Sequence, residues 1–201
     1  MRTSNQTYFC EKGFRRIYDD FLPPEMFNAL KTVVTDPDFP WTFRLGVVHP
    51  KQRTGPTFGL SHLAWHPLYG AVSPLRDELY NHLSPVFQKL FVHVPMRVKF
   101  NLGVKVCDEH IETGHHIDVM TAPSNFRTAI LYLDDSNGYT QFEADKAPVK
   151  SKSNRMLIFD GQLRHQAVTQ TDTDVRYVCN FNYLSDKIPE GGKSFDVDLD
   201  T

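Results

Sequence analysis

The sequence has few cysteines. There are three in 201 residues, Cys10, Cys107 and Cys179, and no two form a C-x-x-C pair. This excludes a cysteine zinc module and a secreted disulfide framework, so reduced thiols in a cytoplasmic setting are expected. No apolar run approaches membrane-spanning length, and the opening MRTSNQTYFCEKGFRR has no hydrophobic leader stretch. Nor is there a basic excess: 22 Lys and Arg stand against 24 Asp and Glu, for a net charge of −2. No overall field gathers phosphates, which argues against nucleic acid as the main partner. Internal repeats and an evident linker are also missing. One domain over residues 1–201 is the expectation, with 1–95 as helical support and a lid, 96–185 as a β core and 186–201 as a polar tail.

What is present divides by texture. FRRIYDDFLPPEMFNALKTVV predicts a short strand, a turn, and a helix opened by Pro23 and Pro24, with Met26, Phe27, Leu30, Val33 and Val34 as its apolar stripe. Residues 44–71 carry glycines, prolines, histidines and aromatics without clear period. They are expected to form an irregular substrate-covering loop, with Arg53, Phe58, Trp65 and Tyr69 as its working residues. His49, His62 and His66 are expected to serve the surface or packing. Ser73-Pro74 and Ser84-Pro85 each offer a helix start. From residue 95 onward, seven short β-branched or aromatic runs alternate with turn residues, from MRVKFNLGVKV to VRYVCNFNYL. The fold class expected is mainly β with flanking helices: a double-sheet jelly roll, with the N-terminal helices packed on one sheet.

The chemistry centres on ETGHHIDVM. On a strand, His116 and Asp118 would share one face, with His115 and Ile117 on the other. With His165 of RHQAV they would make two imidazoles and one carboxylate, a facial triad that leaves open positions and suits non-haem Fe(II). Short polar triplets are common, and H-x-D alone leaves a polar edge strand as the alternative. Arg176 adds weight. It lies inside an apolar strand run, where a lone guanidinium is costly unless paired, and its planar fork fits a carboxylate; pairing with an acidic side chain on an outer face is the alternative. Val178, Asn180 and Asn182 would share its face and give a polar pocket.

In that order and spacing, HHID, TAILYLDDSNGYTQF, NRMLIFDGQLRHQAV and TDTDVRYVCNFNY resemble the Fe(II)/2-oxoglutarate-dependent dioxygenases. The likeness is strongest to the prolyl-hydroxylase-like branch and to small oxygenases of phages and marine microbes, which would place the protein in a host cytoplasm if phage-encoded. It covers about residues 97–184, and IYDDFLPPEMFNALKTVVTDPDFPW resembles the N-terminal segment of the phage group. The resemblance implies a double-stranded β-helix, iron held by His116, Asp118 and His165, and 2-oxoglutarate gripped by Arg176 with Tyr132 in support. It implies O2 as co-reactant, ascorbate as a supporting reductant, and conversion of 2-oxoglutarate to succinate and CO2 as a substrate C–H bond is hydroxylated. A peptide or protein side chain, prolyl first, is the implied substrate, with a small molecule as the alternative. Gly103 stands near where that branch often has an active-site tyrosine. A cupin-like metal enzyme without 2-oxoglutarate, or a non-catalytic jelly-roll module of binding or viral structural type, would share the fold class.

Overall fold

The computed structural model describes residues 13–45 and 58–194. In chain order the elements are β1 (Arg15–Tyr18), α1 (Pro24–Val34), β2 (Thr42–Leu45), β3 (Phe58–His66), β4 (Gly70–Ala71), α2 (Arg76–Lys89) and β5 (Val94–Val104). There follow β6 (Phe126–Tyr132), β7 (Tyr139–Phe142), β8 (Pro148–Lys150), β9 (Arg155–Asp160), β10 (His165–Val168), β11 (Val175–Leu184) and β12 (Lys193–Ser194). The large antiparallel sheet runs β12-β1-β9-β6-β11-β5-β3-β2, with β4 on β3, and the small one runs β10-β7-β8. All seven runs expected after residue 95 are strands.

Period-two alternation decides which side chains meet. In β11, Cys179, Phe181 and Tyr183 join the main core with Val98 and Phe100 of β5 and Leu30, Val34, Leu79, Leu83 and Val86 of the helices. The helices therefore cover one face of the large sheet. The opposite face sends Ile130, Tyr132, Leu157 and Phe159 against Phe142 and Val149 of the small sheet, a second core between the two sheets. Jelly-roll architecture and helices on one sheet are as expected.

Four local expectations differ. Residues 58–66 are a strand deep in the sheet, between β2 and β5, with one bulge where Leu63 and Trp65 pair with Lys99 and Val98. Its pattern was hidden because His62 and Trp65 point to the core side. The His62 ring is buried, with Nδ1 donating to the Pro40 carbonyl at 2.9 Å and Nε2 facing Ser73 Oγ at 2.8 Å. Of the expected loop residues, Arg53 lies outside the described residues, as does His49, while Trp65 packs edge-on to Phe87 on the core side. Ser84-Pro85 starts no helix, because Pro85 sits inside α2. Met26 is exposed rather than part of the buried stripe. In the described part of the tail, β12 pairs with β1, and the Tyr18 hydroxyl donates to the Pro189 carbonyl.

Candidate metal centre and cosubstrate pocket

The HHID segment is not a regular strand. It runs antiparallel beside β10 as a tethered loop, with isolated bridges at Glu112–Val168 and His116–His165. Four steps on one side oppose three on the other, so one residue is extra. Gly114 absorbs it with φ at +98°, a backbone region in which a side chain would be strained. Thr113 N–H donates to the Ala167 carbonyl, and His116 and His165 exchange both backbone bonds at 2.9 and 3.0 Å. The fully buried Gln166 fixes the bulge by accepting from Gly114 N–H and donating to Gln141. His116 and His165 meet because their backbones are paired, whereas Asp118 reaches the site from the bend that follows. Ile117 also lines the cavity, so strict strand alternation is not what sorts this segment.

One donor atom from each of His116, Asp118 and His165 lies within 4.8 Å of the others. Each imidazole is oriented through its far nitrogen. His116 Nδ1 lies 3.1 Å from the Gly114 carbonyl and His165 Nδ1 lies 3.0 Å from the Leu163 carbonyl. A carbonyl only accepts, so each Nδ1 carries a proton and Nε2 is the ring nitrogen left to meet a metal. The Asp118 carboxylate is clamped. Asn182 donates to Oδ2 at 2.8 Å, and Arg97 pairs with Oδ1 at 2.8 Å while its Nε donates to Asn182 at 2.8 Å. Burial would raise the Asp118 pKa, but Arg97, His165 and the Asn182 hydrogen bond outweigh it and hold the carboxyl below its usual range. Burial, with His165 beside it, pushes His116 down to about 4. The donor set is thus two imidazoles and one carboxylate, which fits a divalent transition metal with positions to spare.

The triad opens into a cavity of about 500 Å³ floored by β2, β3, β5 and β11. Arg176 lies in it, 7% exposed, with no hydrogen bond or ion pair among the described residues and its Nε orphaned. Burial pulls its pKa below the ordinary arginine value, against the partial relief of Tyr132 and Asp134. Its stem passes over Gly138, where a Cβ would come within 3.0 Å of Cδ. Asn180 lines the same cavity and accepts from Asn101 at 3.4 Å. Tyr132 is fully buried beneath the cavity: its ring lies 5.5 Å from the Arg176 guanidinium carbon and its hydroxyl donates to Thr140 Oγ1 at 2.7 Å. Thr140, not Tyr132, is at the cavity surface. His115 stays outside the triad, with its carbonyl accepting from Arg164.

Three solved structures share this arrangement of elements. A Pseudomonas putida prolyl-4-hydroxylase superposes with a TM-score of 0.58 at 14% identity, over 86% of this chain and 94% of that one. A Trichoplax adhaerens prolyl hydroxylase, in complex with a hypoxia inducible factor peptide fragment, gives 0.56 at 12% identity over 85% and 83%. A Burkholderia pseudomallei oxidoreductase of the 2OG-Fe(II) oxygenase family gives 0.55 at 12% identity over 88% of each chain. The fold is that of the 2-oxoglutarate/Fe(II) oxygenases. No protein-family model and no curated protein matches the sequence.

Within this oxygenase fold, sequence reasoning missed Arg97, Lys99 and Thr140. The signal for the first two was present. RVKFNLG alternates basic or polar with apolar residues, placing Arg97, Lys99 and Asn101 on the cavity face of β5 and Val98 and Phe100 in the core. Burial, followed by the charge of Arg97, pushes Lys99 down to about 8. Arg97 also accounts for much of what a lone H-x-D leaves unexplained, since it neutralises a carboxylate that would otherwise be buried at high cost.

Proposed function

We propose that the protein is an Fe(II)- and 2-oxoglutarate-dependent dioxygenase that hydroxylates a C–H bond, with a peptide or protein side chain, prolyl first, as its substrate. One observation carries this reading: Arg176 is a buried, unpartnered guanidinium in the same cavity as the His116, Asp118 and His165 donor set. A dianionic 2-oxo acid answers both features, with one carboxylate for Arg176 and the 2-oxo acid end for the metal. When bound, iron supplies O2 activation coupled to oxidative decarboxylation. One oxygen atom enters succinate as CO2 leaves, and the other enters the substrate C–H bond.

The chain's own part is to bind, orient and exclude water. Arg176 holds the far carboxylate. The Tyr132 hydroxyl donates a hydrogen bond to Thr140 Oγ1, which leaves the Thr140 hydroxyl proton free to donate to that same carboxylate. Asn182 and Arg97 hold Asp118 at one angle, and the two backbone carbonyls do the same for the imidazoles. The peptide bound to the Trichoplax prolyl hydroxylase supports a peptide substrate.

The test is succinate formation from 2-oxoglutarate by anaerobically prepared, Fe(II)-loaded protein on admission of O2. Slow succinate release, lost in His165→Ala and in Arg176→Ala, is expected. Undiminished release in Arg176→Ala would favour a metal enzyme that does not use this cosubstrate.

A further inference from the structure

Among the described residues the cavity holds four basic side chains, Arg44, Arg97, Lys99 and Arg176, against one carboxylate, Asp118. The chain as a whole carries −2, so this concentration of positive charge is local. Arg97 is paired with Asp118, and in the function proposed above Arg176 takes the cosubstrate. Lys99 has no such partner: its ammonium makes no hydrogen bond or ion pair among the described residues. Asp118 is spent, since both its oxygens already accept from Arg97 and Asn182.

Arg44 reaches the same wall from β2. Among the described residues it commits only Nε, to Ser61 Oγ at 3.3 Å. Along β3, Arg44 stands opposite Gly59 and Lys99 opposite Leu63, and Ser61, which accepts the Arg44 bond, lies between them. An unpaired ammonium inside a cavity is costly without an anion, and a lysine with only a structural role would be expected to pair or to reach solvent. A neutral prolyl ring alone would leave it unanswered.

We propose that the wall formed by β2, β3 and β5 is an anion subsite for the substrate, in which Lys99 and Arg44 together hold a carboxylate that the substrate carries. This rests on the proposed function, because cosubstrate binding at Arg176 is what leaves these two cations for the substrate. The carboxylate can belong to an acidic residue beside the target in a peptide, or to a free small acid.

The experiment uses the full chain loaded anaerobically with Mn(II) and saturating 2-oxoglutarate, titrated by calorimetry with four probes. These are acetyl-glutamyl-prolinamide and its glutaminyl counterpart, and free glutamate and free glutamine. At least one acid is expected to bind about tenfold or more tighter than its amide. Lys99→Met is expected to remove that preference. Arg44→Gln, on an exposed edge strand where folding is not at stake, is expected to weaken it. Preference confined to the dipeptide identifies a peptide acid as the source, and preference for glutamate a free acid. Equal behaviour of acid and amide, whether both bind or neither does, overturns the inference, as does a preference that survives both substitutions. Failure of the metal-loaded protein to take up 2-oxoglutarate at the outset would remove the proposed function and this inference with it.

Discussion

At the scale of single residues, Arg176 and Asp118 show opposite treatments of buried charge. Asp118 is satisfied before any ligand arrives, through Arg97 and Asn182. Arg176 is left unsatisfied, which destabilises the ligand-free protein and favours whatever anion fills the gap. The two should therefore respond differently to mutation. Arg176→Gln is expected to leave the melting temperature of the ligand-free protein unchanged or higher, by the equivalent of up to about 1 kcal/mol. The same variant should lose the further rise that 2-oxoglutarate gives the metal-loaded wild type. Thermal unfolding with and without the two ligands checks this, and a large drop in the ligand-free variant would mean that Arg176 is a structural residue instead.

At the scale of elements, what the sequence disclosed depended on whether a strand was a short β-branched or aromatic run bounded by turn residues. β5 to β11 read plainly because hydrophobic and turn residues alternate at strand length. The 44–71 segment did not, because β3 sends His62 to the core, carries a bulge, and has Gly59 as its second residue. The triad residues could be picked out, but the reason they meet could not: a bulge at Gly114 and a ladder to β10 are long-range facts that H-x-D does not encode. Tyr132 could be located in the sequence as well, yet its hydroxyl is committed to Thr140. The turn after β1 illustrates a different long-range tie. Asp19 takes both Arg155 Nε at 2.6 Å and Lys152 Nζ at 3.0 Å, joining that turn to the start of β9. The Arg155 hydrogen bond, against the opposing effect of burial, lowers the Asp19 pKa from 3.8 to about 2. A depressed carboxylate pKa gives stability that is fully present above the unfolded value and lost as pH falls through the folded one. The pair is partly exposed, so solvent screening reduces its worth, and Asp19→Asn should cost about 1 kcal/mol at pH 7. That difference should shrink between pH 4 and pH 2 in urea unfolding. A gap that stayed constant down to pH 2 would contradict this account of the turn.

At the scale of the whole molecule, the two cores divide the work. Helices and the large sheet bury one continuous apolar layer, and the small sheet closes only part of the other face with a second, smaller cluster. The part left open is the cavity, and the polar alternation of β5 and β11 faces into it. Strands β10 and β11 thus hold His165 and Arg176, and the loop tethered to β10 adds His116 and Asp118, which suits a ligand that must touch both metal and guanidinium. The central claim is that the metal and 2-oxoglutarate occupy this cavity together. The most direct test is calorimetric titration of 2-oxoglutarate into the anaerobic protein, with and without Fe(II), in wild type, Asp118→Ala and Arg176→Gln. The account predicts tight binding only in Fe(II)-loaded wild type, and weakening of about a hundredfold in either variant. Equal binding with and without Fe(II), or full affinity in Arg176→Gln, would contradict it.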